Sequence, residues 1–132
     1  MRPARGRRLL SVFFVVAGIM HFVIPASYTK IMPVILPFPL ELVLISGALE
    51  IAGGVGLLME RTRRVAAFGL VALLVAVWPA NVQMLLNARQ HDAAWWYQLL
   101  LWIRLPVQIP LIWWTWRVGA TSQHHPLHVP KN

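Results

Sequence analysis

Ile45 to Leu58 reads ISGALEIAGGVGLL, an apolar run crowded with small residues and carrying a single carboxylate, Glu50, near its middle. An ionisable group in the centre of a membrane-length apolar segment costs on the order of 2.5 kcal/mol or more, so it turns toward a bundle interior and a partner. Ser46, Gly47, Gly53 and Gly54 stand three or four positions either side of Glu50, so one helical face carries almost no side-chain bulk around the acid. Such a face lets neighbouring helices approach closely, the usual packing solution in lipid, where burying apolar surface gives no advantage.

Composition places that stretch in a membrane. Of 132 residues, 58% are hydrophobic and only 12% charged, too apolar a balance for a soluble domain of this size. Cysteine is absent, which removes thiol redox chemistry, disulfides and cysteine-ligated metals. The net charge of +8 does not point to nucleic acid, because the basic residues form short runs between apolar spans instead of one soluble face. Arg2, Arg5, Arg7 and Arg8 precede the first apolar run, Arg61, Arg63 and Arg64 fill the second connection, and Arg117 and Lys131 lie at the far end. The first and third connections carry only Lys30 and Arg89. By the positive-inside rule both termini and the second connection are cytoplasmic, and the number of spans is even.

The expected architecture is therefore an all-α integral membrane protein, an antiparallel four-helix transmembrane bundle forming one domain over residues 1–132, with spans at about 9–24, 40–59, 65–86 and 95–117. Arg7-Arg8 before an apolar run also fits a secretory or twin-arginine signal. That reading is set aside because His21 interrupts the run, no clear small-residue cleavage site follows, and the charge alternation needs this segment. The connection Pro25 to Pro39 contains four prolines, which hold it out of regular helix. Because it is apolar it folds back on the bundle as a lid, or dips into the headgroups as an interfacial loop. Glu41 suits the first turn of span 2 as a cap. Pro79 should kink span 3 and release a backbone carbonyl. Trp95, Trp96 and Tyr97 at one end of span 4, and Trp113, Trp114 and Trp116 at the other, mark the two headgroup layers. His124, His125 and His128 in the tail offer metal ligands, but the segment reads as a polar, disordered end. No metal site is expected. Ala52 and Gly56 offer a face for dimerisation.

Depth decides which polar groups meet. At about 1.5 Å per residue, His21 lies about 5 Å from the outer end of its span, Asn81 about 8 Å, Arg104 about 13 Å and Glu50 about 15 Å. All four fall in the outer half or near the midplane. Arg104 and Glu50 form the natural pair, since opposite charges at matching depth neutralise one another. Tyr97, Arg104, Gln108 and Thr115 recur at helical spacing as a polar stripe. The expected site is a polar pocket lined by His21, Glu50, Asn81, Arg104 and Gln108, with Tyr28 and Trp102 as walls. The alternative is a buried hydrogen-bond network that only fixes helix packing.

From about Leu9 to Trp116 the chain resembles the DoxX/DoxD-like family of small four-helix bacterial membrane proteins. AGIMHFVIP (Ala17 to Pro25), Tyr28 with Pro33, SGALEIAGGVGLL (Ser46 to Leu58), the basic turn at Arg61 to Arg64, WPANVQM (Trp78 to Met84) and RLPVQ (Arg104 to Gln108) carry the resemblance. It implies a membrane component of an oxidoreductase system in the bacterial inner membrane, working with a soluble redox partner. This chain has no cysteine or soluble domain for the thiosulfate chemistry that gives the family its name. A b-type haem would want a second intramembrane axial ligand beside His21. A quinone is easier to accommodate, because its flat apolar ring and two carbonyls need only a few donors. In that reading His21, Glu50 and Arg104 carry the chemistry, His21 donating to a carbonyl or relaying a proton, Glu50 exchanging protons or positioning Arg104, and Arg104 stabilising a reduced oxyanion, while Asn81, Gln108, Tyr28 and Trp102 contact the ligand. Two other functions fit the same residues: binding or transport of a small lipophilic molecule, and a non-catalytic anchor for a soluble enzyme.

Overall fold

The computed structural model describes residues 3–30, 32 and 34–121, and the tail histidines His124, His125 and His128 lie outside them. The described chain is all-α. Five helices follow one another: α1 (Pro3–Val23), α2 (Pro25–Thr29), α3 (Pro39–Gly56), α4 (Arg63–Gln90) and α5 (Trp95–Ala120). Three of them, α1 from Ala4 onward, α3 and α4, are long and apolar enough to cross a membrane. The 26 residues of α5 match them in length, but Gln98, Arg104 and Gln108 dilute its apolar run.

Two boundaries differ from the sequence reading for the same reason. Proline has no N–H to lose in the first turn of a helix, so it starts helices as readily as it ends them. Pro3 opens α1, which takes in Arg5, Arg7 and Arg8 and reaches 21 residues, about 30 Å, in place of the short span from Leu9. Pro25 opens the five-residue α2, so part of the proline-rich connection is helical after all. The rest of that connection does not close over the bundle. Val34, Ile35 and Phe38 are 100%, 89% and 71% exposed, and Phe38 adopts a left-handed backbone, φ 55°, before Pro39 starts α3.

In the packing, α1 lies along α3, α3 meets α4, and α4 lies along α5, while α5 and α1 share no extended contact. The α1–α3 contact depends on missing side chains. A Cβ on Gly18 would come within 2.5 Å of the Gly47 carbonyl, and one on Gly47 within 2.6 Å of the His21 Cβ. Further along the contact, the Ser11 hydroxyl donates to the Gly54 carbonyl at 2.6 Å, a bond that needs the two backbones close together. Gly53 faces the other way, onto Leu70 of α4. Gly56 is buried against Ala66 within the chain, while Ala52 is exposed.

Two apolar clusters hold the bundle, and they sit at different depths. Leu10, Phe14, Leu57, Ala67, Leu70 and Leu74 fill the end beside the basic turn, and Leu85, Ala88 and Leu101 fill the other. Along α4 and α5 a polar layer lies between them, with Asn81 between Leu74 and Leu85 and Gln108 between Leu101 and Leu111. At the basic end Arg63 is buried and donates from Nε to the Leu57 carbonyl at 3.3 Å, and the Thr62 hydroxyl donates to Gly56 O at 3.0 Å. Both bonds satisfy carbonyls left over where α3 stops.

Overfilling the α1–α3 contact should be costly. Gly47→Val is expected to lower stability by about 1–3 kcal/mol, read as a lower midpoint of thermal unfolding in detergent micelles. Gly69→Ala, at a glycine whose Cβ would meet no atom within 4 Å, should leave the midpoint unchanged or raise it slightly.

Candidate functional site

The small residues that bring α1 and α3 together also set the geometry of the acid between them. Gly47, Glu50 and Gly54 share one buried face of α3, so the carboxylate enters the bundle where the facing helix is closest. Phe14, Ala17 and His21 recur at i, i+3 and i+7 on α1, which puts His21 opposite Glu50. The His21 Nδ1 and Glu50 Oε2 are 3.6 Å apart. That is too long for a hydrogen bond, and Nδ1 instead donates to the Ala17 carbonyl at 2.9 Å. With the Nδ1 proton so engaged, Glu50 Oε2 is buried and has no hydrogen-bond partner among the described residues.

Tyr28, on α2, stacks on the His21 ring, with centroids 4.0 Å apart and planes inclined by 21°. The phenol thus covers the imidazole from the side of the proline-rich connection, and the ring is held by a backbone acceptor on one side and a π-face on another.

Asn81 and Gln108 make the second half of the layer. The Asn81 Nδ2 donates to Gln108 Oε1 at 2.8 Å, and Gln108 Nε2 donates to the Leu74 carbonyl at 2.5 Å. Pro79 lies inside α4 and has no N–H to offer the Val75 carbonyl, so the helical ladder is interrupted next to the carbonyl that Gln108 takes. The helix continues through Pro79, and the side chain that takes the Leu74 carbonyl comes from α5, 34 residues away in sequence.

A cavity of about 410 Å³ joins the two halves. Glu50, Asn81 and Gln108 are its buried polar lining, Phe14, Leu74 and Val77 supply apolar wall, and Phe13, Arg104 and Val107 line it while remaining exposed on the surface of the chain. The volume falls in the roughly 300–1,000 Å³ range of small-molecule sites, and an apolar wall with a few polar groups is their usual make-up. Chemically the site offers a guanidinium donor at its exposed side and a buried carboxylate in its lining. His21 and Glu50 alone would be a poor metal centre, and no group of three or more His, Asp or Glu is gathered among the described residues.

Of the residues expected in the pocket, Glu50, Asn81, Arg104 and Gln108 line one cavity. His21 and Tyr28 stand behind Glu50 instead of in the wall. Three expectations are corrected. Glu50 has His21, not Arg104, as its nearest charged or titratable neighbour at ion-pair distance, because the α1–α3 approach is tighter than any contact between α3 and α5. Trp102 is 53% exposed and forms no part of the wall, since two residues from Arg104 on a helix is a turn of about 200° to another face. The stripe on α5 is uneven, with Thr115 and Gln108 buried, Tyr97 half-buried and Arg104 exposed. The wall residues Phe13 and Phe14 were not anticipated, although the spacing of Phe14, Ala17 and His21 carried the signal.

The Asn81–Gln108 contact can be weighed by a double-mutant cycle. Gln108→Leu should destabilise by about 1–3 kcal/mol because it orphans buried donors and acceptors. Asn81→Leu in the same chain should recover part of that loss, with a coupling of at least about 0.5 kcal/mol in unfolding measured in micelles.

A search among curated proteins finds no match, and none is found among solved structures. A family model described as a domain of unknown function, DUF8561, matches residues 10–119, which takes in every residue of the cavity and its supporting layer. The chain belongs to the DUF8561 family.

Proposed function

We propose that this protein is a multi-pass component of the bacterial inner membrane, with α1, α3, α4 and α5 crossing as an antiparallel four-helix bundle and both termini in the cytoplasm. We propose further that it binds a quinone in the cavity as the membrane part of an oxidoreductase system, the role implied by the resemblance to DoxX/DoxD-like proteins. The observation that carries the ligand reading is a buried Glu50 carboxylate, with one oxygen lacking a hydrogen-bond partner, on a mixed cavity that Arg104 also lines. A buried acceptor without a donor is costly, and the hydroxyl of a bound quinol, the reduced form of the ligand, would supply the donor that removes the cost.

The residues present fit such a ligand. A bound quinone would supply two-electron, two-proton chemistry, with electrons from a soluble redox partner. Arg104 would donate to a carbonyl oxygen from the exposed side and favour negative charge there. Glu50 would exchange a proton with the ligand, with His21 next to it as the group through which that proton is replaced. Phe14, Leu74 and Val77 would hold the ring out of water.

A second reading, binding or transport of another small lipophilic molecule, draws on the lack of extended contact between α5 and α1 and on the exposed Phe13, Arg104 and Val107. A molecule dissolved in the bilayer could pass sideways between those helices.

Protein purified in mild detergent from quinone-containing membranes should release about one quinone per chain on solvent extraction and mass spectrometry. Glu50→Gln and Arg104→Gln should each reduce retention by about 10-fold or more, the loss expected for one hydrogen bond to a charged group, while Trp102→Phe leaves it unchanged. Another lipophile in the extract would select the second reading. An empty extract with unchanged stability of both variants would overturn both. The membrane assignment is tested separately, by resistance of the chain to alkaline carbonate extraction and by cytoplasmic activity of a C-terminal reporter fusion.

A further inference from the structure

A second concavity lies on the opposite side of α3. Between α3 and α4 a groove of about 760 Å³ is lined by Leu49, Ala52, Gly53, Val65 and Gly69, and it ends at Arg61 in the turn between the two helices. Its walls are almost wholly apolar and its end is cationic. Gly69 leaves it open, since no atom lies within 4 Å of where a Cβ would stand.

We propose that this groove binds one anionic phospholipid, its acyl chain lying between α3 and α4 and its headgroup phosphate meeting Arg61. This rests on the membrane-spanning reading above, but not on the quinone reading. Three observations select that occupant. The first is depth: from the turn to Leu49 the groove follows about two turns of α3, on the order of 10–15 Å, which is one leaflet of a hydrocarbon core about 30 Å thick. The second is charge complementarity. Arg5, Arg7, Arg8, Arg61, Arg64 and Arg117 lie in the turn or in the helix ends beside it without being buried, and Glu60 is the one acid there among the described residues. Clusters of basic residues at a membrane surface attract anionic headgroups at about 1 kcal/mol per residue.

The third observation argues against the competing occupant, a second copy of this chain. Two copies meeting along this groove would bring two such cationic ends together with one acid each, whereas a phosphate neutralises the end it meets. Gly53 and Gly56 also have their approach used up inside the chain, against Leu70 and Ala66, so the groove is a gap between packed helices and not a flat small-residue face.

The test uses the full chain in nanodiscs or detergent, with phosphatidylglycerol and phosphatidylcholine as probes and native mass spectrometry as the readout. Wild type should retain one phosphatidylglycerol per chain and prefer it over phosphatidylcholine by about 10-fold. Gly69→Leu places a side chain in the groove at a position where a Cβ meets no atom within 4 Å, so it should leave the thermal unfolding midpoint close to wild type and lose retention of both lipids by about 10-fold. Arg61→Gln should abolish the preference for phosphatidylglycerol while leaving residual binding of either lipid. Unchanged retention in Gly69→Leu, or an unchanged preference in Arg61→Gln, would overturn the proposal. So would a wild-type dimer that Gly69→Leu converts to monomer without change in bound lipid, since that outcome assigns the groove to a second copy. Quinone content measured on the same samples should not move, which separates failure here from failure of the cavity reading. Carbonate extraction of the chain would instead mark failure of the membrane reading.

Discussion

Holding a carboxylate inside an apolar bundle is the constraint on which the remaining architecture depends. Glu50 is tolerated because the helix carrying it has glycines above and below, and because α1 answers with Ser11, Gly18 and a histidine at the same level. Close backbones supply dispersion contacts that bulky residues would otherwise provide. They also place His21 where it can face the acid, so one packing device serves both stability and the chemistry of the site. Bulk added at Gly47 would act on the imidazole directly, which ties the fold of α1 and α3 to whatever Glu50 does.

The second half of the polar layer is built on a different principle. Asn81 and Gln108 are paired with each other, and the pair is anchored to the Leu74 carbonyl, next to the point where Pro79 interrupts the helical ladder. Such a pair is saturated and rigid, whereas Glu50 retains an unused acceptor. The cavity therefore has a fixed wall on α4 and α5, a buried carboxylate on α3 and a cation at its exposed side. Apolar clusters above and below isolate this layer, so that its electrostatics act in a medium of low polarity where each interaction counts for more.

Helix α5 explains the openness of the site. Its contact with α4 is extensive and it shares no extended contact with α1, so the packing is incomplete on that side. Arg104 occupies the incomplete side. A guanidinium on a long flexible stem can reach inward to the cavity or outward from the chain, and neither position requires the helices to move.

Much of this was legible in the residues alone. Apolar length located α1, α3 and α4, and the position of Glu50 among small residues fixed the direction in which α3 turns, because helical period and the cost of a buried charge are local properties of one segment. The same period set Arg104 and Gln108 on one stripe of α5, and depth along the span set Asn81 at their level. Partnership across helices was not legible. Whether Glu50 meets His21 or Arg104, whether Gln108 bonds to a carbonyl beside Pro79, whether Trp102 faces the cavity and whether Gly56 is free all depend on the rotation and approach of one helix against another. Those are set by the sum of many contacts between segments distant in sequence, and only the folded chain supplies them.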